Sequence, residues 1–268
     1  MVVIALVFVF GVGYSFPPEQ ETVRSVIQPS MHSDTPSRPS AAGAEQSAIR
    51  SNEDSLGQEA KEKVLAQRLS APAETCGELR VLVDRSHSLP PDYVPYDLIP
   101  LRAYGVPTLG SDVLQLRRDA AEHLGRLVEI AAVDGEELVV ASAYRSYEEQ
   151  QVSHERLSSV YGTGVDGMSA TPGHSQHQLG TAVDFTNAVA NYQVWLPFGE
   201  TTAYWWLKHH AREYGFVQAY PRGQERETSY QWEPWHYRYV GVENAQRLQE
   251  SGLSLQEFLE REGIMPHC

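Results

Sequence analysis

The spacing of apolar residues predicts a strong amphipathic helix over residues 112–133. Its apolar side chains recur every three or four residues and would therefore line one face of a helix. These positions are Val113, Leu116, Ala120, Leu124, Leu127, Val128 and Ala131. Ser111 or Asp112 is placed to cap the start, and Gly135 follows the end. We expect the apolar face of this helix to belong to the core.

Two Ser-x-x-Glu patterns predict further helices, because such a serine and glutamate can each cap a backbone N–H group of the other. Ser146 with Glu149 predicts a helix over residues 147–160, and Ser254 with Glu257 predicts another near the end of the chain. Helical patterns also cover residues 200–214 and 242–250.

Short apolar runs bounded by glycine, proline or polar residues predict strands. These runs cover residues 78–84, 137–143, 181–185, 216–221 and 235–240. Prolines stiffen residues 89–95, which we expect to form an extended loop.

The first quarter of the chain differs from the rest. Residues 2–12 are almost wholly apolar and too short to span a membrane, so we expect a signal peptide or signal anchor over residues 1–16. The run lacks a positive flank, since no Lys or Arg precedes Arg24. Residues 17–70 are rich in Ser, Pro, Glu and Gln and predict a disordered linker. A compact domain should then occupy residues 71–268.

Charge and cysteine content restrict the function classes. The formal net charge of -14 over 268 residues argues against a nucleic-acid partner, because phosphate binding needs clustered Lys and Arg. The two cysteines, Cys76 and Cys268, would be separate thiols in a reducing compartment and could form one long-range disulfide in an oxidising one.

Two separated motifs predict a metal site. His177 and Asp184 flank Gly180, so a tight turn could bring an imidazole and a carboxylate together. His236, three residues after Glu233, offers a third ligand. Two histidines, one aspartate and a nearby glutamate are typical of a hydrolytic zinc site that keeps one position open for water.

Other readings of these residues are weaker. A Ser-His-Asp hydrolase would leave the Glu233-x-x-His236 pair unexplained, and the chain has no Gly-x-Ser-x-Gly motif. The neighbouring histidines are expected to be solvated or packed rather than to bind metal; these are His174, His209 and His210.

Several motifs together resemble the zinc D-alanyl-D-alanine carboxypeptidases of the VanY type and their VanX-type dipeptidase relatives. In order they are Leu82-Val83-Asp84 with Leu89-Pro90-x-x-Tyr93-Val94-Pro95, Ser142-Ala143-Tyr144-Arg145-Ser146, Ser175-x-His177-x-x-Gly180-x-Ala182-x-Asp184, Tyr214-Gly215-Phe216 with Tyr220-Pro221, and Glu233-Pro234-Trp235-His236-Tyr237-Arg238-Tyr239. Two departures are Asp84, where the family usually has Asn, and Gln176, where an acidic residue is common.

The resemblance implies an α+β fold with a small antiparallel sheet flanked by helices, as in Hedgehog-like and DD-peptidase-like zinc peptidase domains. It also implies that one zinc ion is held by His177, Asp184 and His236, with Glu233 as general base and Arg145 beside the oxyanion. Weaker candidates for substrate binding are Ser175, Gln150 and Tyr144.

The implied function is removal of the C-terminal D-alanine from peptidoglycan stem peptides ending in D-Ala-D-Ala, outside the cytoplasm. The expected N-terminal signal would agree with this location and could act as a membrane tether. Alternatives on the same scaffold are a D-Ala-D-Ala dipeptidase, a peptidoglycan endopeptidase, and a non-catalytic zinc-bearing binding module.

Overall fold

The computed structural model describes residues 74–268, apart from the side chains of Thr163 and Asp166. The predicted signal and linker, over residues 1–16 and 17–70, lie outside this range. No helix in the described range is long and apolar enough to cross a membrane.

A four-stranded antiparallel sheet forms the centre of the domain. Its strands are β3 (Val139–Ser142), β4 (Ala182–Thr186), β5 (Phe216–Gln218) and β6 (His236–Tyr239). They lie side by side in the order β3-β4-β6-β5, so β4 and β6 occupy the two central positions. A separate antiparallel pair joins β1 (Leu98–Pro100) to β2 (Gln115–Arg117).

Helices surround the sheet, as the resemblance implied, so the expected fold class is confirmed. The helices are α1 (Arg118–Val133), α2 (Tyr147–Tyr161), α3 (Thr202–His210), α4 (Glu225–Thr228), α5 (Val242–Ser251) and α6 (Leu255–Glu262). The capping boxes predicted at Ser146 and Ser254 are both present.

Helix α1 contributes one side of the main core. The predicted apolar face is buried from Ala120 to Ala131, whereas Val113 lies outside the helix and is half exposed. This face meets the buried side of the sheet, including Val140 and Phe185, in one apolar cluster. Burying a leucine in such a cluster contributes about 1.5–3 kcal/mol.

Two helix predictions need correction. The helix predicted over residues 112–133 begins only at Arg118, because the preceding residues pair with β1 instead. Ser111 and Asp112 therefore do not cap it. The helix predicted over residues 200–214 ends at His210, and a 3-10 turn continues the chain to Gly215.

The strand predicted over residues 78–84 is wrong. Val81, Leu82 and Val83 are all buried, but this segment pairs with no described strand. Its backbone groups find other partners: Leu82 donates its N–H to the carbonyl of Ile264, and the Arg238 guanidinium donates to the carbonyls of Leu79 and Val81.

The two ends of the described chain meet at this segment. Cys76 and Cys268 form a disulfide with their Cα atoms 5.5 Å apart. Beside it, the N–H of Thr75 donates to the carbonyl of His267. We call residues 74–84 together with residues 264–268 the rim.

Candidate active site

The sheet register brings two of the predicted ligands together. Asp184 on β4 lies directly opposite His236 on β6. His177 reaches the same point from a 3-10 turn, Gln176–Leu179, that ends just before β4. Gly180 ends this turn with φ +67°, and a Cβ there would lie 3.0 to 3.1 Å from side chains of three neighbouring segments. The glycine therefore permits the close approach that the sequence suggested.

The three side chains form a compact, buried cluster. His236 Nδ1 lies 2.8 Å from Asp184 Oδ1, and His177 Nε2 lies 3.3 Å from Asp184 Oδ2. One ligand atom from each residue lies within 4.8 Å of the other two. In the part of the chain that the structure describes, this is the one such group of histidine, cysteine and carboxylate side chains.

The hydrogen bonds of the two imidazoles assign their free nitrogens. His177 Nδ1 lies 2.6 Å from the carbonyl of Ala143 and must donate to it, so Nε2 keeps its lone pair towards Asp184. His236 Nε2 lies 3.3 Å from Gln176 Oε1, which leaves Nδ1 with the lone pair. Both free nitrogens face the carboxylate. This donor set fits a zinc ion, for which outer hydrogen bonds of this kind orient histidine ligands.

The electrostatics of the cluster also suit a cation. Burial lowers the pKa of His177 despite the opposing charge of Asp184, so its imidazole is neutral, as a ligand must be. Burial alone would raise the pKa of Asp184, but the adjacent imidazoles, His177 first and then His236, hold it well below its usual range. The carboxylate is therefore ionised.

Glu233 is fixed beside the cluster. Its backbone N–H donates to the carbonyl of Tyr220 at 3.0 Å, and Gln218 donates to its carbonyl at 3.1 Å. Burial first, and then the charge of Asp184, raise the pKa of the Glu233 carboxyl well above its ordinary value. A bound cation acts in the opposite direction, because positive charge favours the carboxylate form.

Arg145 lies at the end of β3, near His177. Its backbone N–H donates to the carbonyl of His177, and its charge acts on the pKa values of both His177 and Glu233. The guanidinium donates to Gln150 Oε1 at 2.9 Å and to Ser142 Oγ at 3.0 Å. These contacts hold the positively charged guanidinium of Arg145 at the site. Its other N–H groups remain available to a substrate.

The three candidates for substrate binding occupy different positions. Gln150 is buried behind Arg145, and its amide donates to the carbonyl of Ala170. Ser175 caps the turn that carries His177, accepting from the His177 N–H at 3.3 Å. Tyr144 is half-buried. Their contact with substrate stays a prediction.

The three neighbouring histidines, His174, His209 and His210, lie outside the cluster. His174 Nδ1 contacts the carbonyl of Asp84, His209 Nδ1 contacts the carbonyl of Trp205, and His210 stacks on Trp206. The expectation that they pack or stay solvated agrees with these contacts.

Sequence reasoning missed the two neighbours of His236. Gln176 accepts from its Nε2, and the Tyr220 ring stacks on its imidazole with centroids 5.1 Å apart. The Tyr220-Pro221 pair was visible as a motif, but nothing in the sequence pointed to this contact.

Comparison with known proteins agrees with the site. Residues 113–242 match the family model for VanY, D-alanyl-D-alanine carboxypeptidase. A putative carboxypeptidase, YodJ of Bacillus subtilis (strain 168), is 34% identical over 187 residues, which cover 67% of this chain and 66% of that protein. The chain spans 48% to 66% of the length of the first three curated relatives.

Solved structures extend the match. The LdcB LD-carboxypeptidase is 33% identical with a TM-score of 0.63, over 69% of this chain and 87% of that one. A mutant of the VanY D,D-pentapeptidase from a VanB-type vancomycin resistance cassette, in complex with Zn(II), is 30% identical with a TM-score of 0.56, over 67% of this chain and 98% of that one. The chain therefore belongs to the VanY family of D-alanyl-D-alanine carboxypeptidases.

Proposed function

We propose that this chain is a zinc-dependent D-alanyl-D-alanine carboxypeptidase that removes the terminal D-alanine from peptidoglycan stem peptides. The observation that carries the proposal is the convergence of His177, Asp184 and His236, with Glu233 and Arg145 beside them. Each of these residues has a role in the hydrolysis of a peptide bond.

The contacts with the Ala143 carbonyl and with Gln176 hold the two ligand imidazoles in place. His177 and His236 each present one nitrogen lone pair, and Asp184 presents an ionised carboxylate. When bound, a zinc ion supplies a water molecule of lowered pKa, near about 7, and polarises the carbonyl that is attacked. Three protein ligands leave a position for this chemistry.

Glu233 acts as general base and then as general acid. Its carboxylate accepts a proton from the attacking water, and the same carboxyl donates that proton to the leaving amine of D-alanine. The low polarity around Glu233, which raises its pKa, makes its carboxylate a stronger base for the first of these transfers. Arg145 stabilises the negative charge that develops on the carbonyl oxygen, as a fixed cation aimed at developing charge does.

Location and partner follow from the substrate. Peptidoglycan stem peptides lie outside the cytoplasm, so we place the enzyme there. The disulfide between Cys76 and Cys268 supports this location, because disulfides persist in oxidising compartments. The signal or tether predicted over residues 1–16 would deliver the chain to the same place.

A second candidate is an L,D-carboxypeptidase that removes D-alanine from tetrapeptides. Similarity to the LdcB LD-carboxypeptidase favours it, because that structure has the higher TM-score of the two, 0.63 against 0.56. The two activities differ in the configuration of the residue before the cleaved bond and share the chemistry of the site.

Release of D-alanine from three substrates separates the candidates. We expect a muropeptide pentapeptide to be cleaved faster than a tetrapeptide or the D-Ala-D-Ala dipeptide, and a chelator to abolish the reaction until zinc is restored. Faster cleavage of the tetrapeptide would assign L,D-carboxypeptidase activity, and faster cleavage of the dipeptide would assign dipeptidase activity. No release of D-alanine from any substrate would leave the peptidoglycan endopeptidase and the non-catalytic binding module.

A further inference from the structure

Residues 89–95 form a loop that contains three prolines and lies beside the turn that carries His177. Within this loop, the N–H of Tyr93 donates to the carbonyl of Pro90 at 3.1 Å, so residues 90–93 close a tight turn. Pro91 occupies the second position of this turn, where the fixed φ of proline favours the turn conformation. The carbonyl groups at the two ends of the turn are therefore held in place.

The carboxamide of Gln178 joins this loop to the turn that carries His177. Its Nε2 donates to the carbonyl of Pro90 at 3.0 Å and to the carbonyl of Tyr93 at 3.3 Å. In the described part of the chain, these two are the only hydrogen bonds between residues 176–180 and residues 89–95. One side chain therefore supplies all the polar contact between the two segments.

The burial of Gln178 indicates why an amide stands at this position. The residue is 0% exposed, and its Oε1 has no partner among the described residues. A buried oxygen without a partner costs free energy, and an apolar side chain of the same length would avoid that cost. Both N–H groups of the amide, in contrast, are used by carbonyls of the loop. The two donors are therefore the useful part of this side chain.

His177 depends on the position of the turn to which it belongs. The turn Gln176–Leu179 is a 3-10 helix of four residues, which has few backbone hydrogen bonds of its own and poorer geometry than an α-helix. The contact of His177 Nδ1 with the carbonyl of Ala143 orients the imidazole. Gln178, the next residue, ties the backbone of the same turn to a second segment. Metal ligands must be held within about 0.5 Å of their working positions, so this second support matters for binding.

We propose that Gln178 is a positioning residue, whose amide fixes residues 176–180 against the loop 89–95 and thereby holds His177 where the metal requires it. The inference rests on the proposed function, since it concerns the same zinc site. Gln178 acts through His177, and the proline-containing loop becomes the rigid support of a metal ligand.

The test is the variant Gln178→Met, which keeps the length of the side chain and removes both donors. A matched control is Gln256→Met. Gln256 is also buried, at 8% exposure, and its Nε2 also makes two hydrogen bonds, to Asp84 Oδ2 and Glu260 Oε1 at 2.8 Å each. It lies on α6, which carries no ligand of the cluster. Both variants delete two hydrogen bonds of one buried amide.

We expect Gln178→Met to raise the dissociation constant for zinc by about 10-fold, the lower end of the range for losing an outer support of a ligand. Chelator competition measures this constant. In the zinc-free protein, amide hydrogen exchange at residues 177–180 should become about 10-fold faster. For the zinc-saturated enzyme, kcat on the preferred muropeptide should fall while KM stays within about two-fold, because the substrate contacts are kept. Gln256→Met should keep the zinc affinity, the exchange rates at 177–180 and kcat within about two-fold of the wild type.

Two results would overturn the proposal. One is a Gln178→Met protein with the zinc affinity and the exchange rates of the wild type. The other is an equal loss of zinc affinity in Gln178→Met and Gln256→Met, which would show a general loosening of the fold. A wild type that cleaves no substrate would end the proposed function alone, because zinc affinity and exchange are measured without substrate.

A milder variant, Pro91→Gly, tests the same contact if Gln178→Met does not fold. Pro91 is exposed, so this change leaves the core intact and loosens the turn that receives the amide. The dissociation constant for zinc should rise by about two- to five-fold, the factor expected when glycine replaces a well-placed proline. An unchanged constant would contradict the proposed role of the loop.

Discussion

Two segments of this chain bury consecutive apolar residues, and only one of them is a strand. Ala182–Thr186 is buried at every position and forms β4, between β3 and β6. Residues 81–83 of the rim are buried as deeply, yet they lie outside both sheets. Buried backbone needs hydrogen-bond partners in either case. The segments differ in what supplies those partners.

Strand neighbours on both sides supply the partners of β4, and the antiparallel register then fixes where each side chain lies. This is how Asp184 comes to face His236. The rim relies on a side chain, Arg238, and on the last residues of the chain. An apolar run therefore predicts burial, whereas the source of the backbone hydrogen bonds decides whether the run forms a strand. In this domain the paired strands position the metal-binding side chains, and the irregular hydrogen bonds of the rim join the two ends of the described chain.

The largest expected effect comes from Glu233→Gln. This variant tests whether catalysis can be lost while the fold is kept. Glutamine keeps the shape of the side chain but can neither accept nor return the proton. We expect kcat to fall by about 10²–10⁴-fold, the range for loss of a general acid–base group. Zinc content should stay the same, because Glu233 is outside the ligand cluster. Steady-state kinetics and metal analysis check both.

Stability should not decrease in this variant. Burial makes an ionised carboxylate costly at this position, so a neutral amide removes a penalty. A drop of more than about 1 kcal/mol in the free energy of unfolding, measured in urea, would mean that the site also supports the fold.

The rim should show the opposite behaviour in the double variant Cys76→Ser with Cys268→Ser. The disulfide closes a loop with a sequence separation of 192 residues, so its loss should lower the free energy of unfolding by about 2–5 kcal/mol. The value of kcat should be unchanged at temperatures where the variant is folded. Urea unfolding and kinetics on the same preparation check this. Reduced wild type is the control. A variant with full stability but low kcat would contradict the expectation that the rim affects stability and not catalysis.

The sequence predicted the site better than its surroundings. Metal ligands can be predicted from residue type and spacing. The structure does bring together His177, Asp184 and His236, with Glu233 near Asp184. The capping boxes are equally local signals, because Ser146 and its glutamate lie within one turn of each other. Both kinds of prediction need little knowledge of tertiary structure.

The failures concern contacts between distant segments. The β1–β2 pair has only three residues on each strand and exists because Leu98 and Arg117 meet across a long loop. The contact of Gln150 with Arg145 and the stack of Tyr220 on His236 were not predicted. Such positions depend on how elements pack, which no local pattern encodes.

Arg238 links the rim to strand β6 of the central sheet, so a variant at this position tests whether the two regions are independent. It lies on β6, two residues after His236, is fully buried, and donates to the rim carbonyls of Leu79 and Val81 at 3.0 and 2.7 Å. Burial lowers its pKa to about 10, so the guanidinium remains charged at neutral pH. Arg238→Met keeps much of the apolar volume but leaves two buried carbonyls without these donors. We expect a loss of about 2–3 kcal/mol in the free energy of unfolding.

The control for this variant is Arg247→Met. Arg247 also bonds a neighbouring segment, donating to Glu262 at 2.7 Å, but its side chain is 44% exposed. An exposed pair of this kind contributes about 0–1 kcal/mol, so the control should unfold almost as the wild type does. Zinc affinity should be equal in both variants. If Arg238→Met instead lowers zinc affinity in proportion to its loss of unfolding free energy, then a change at the rim reaches His236 through β6. The two regions would then be one cooperative unit.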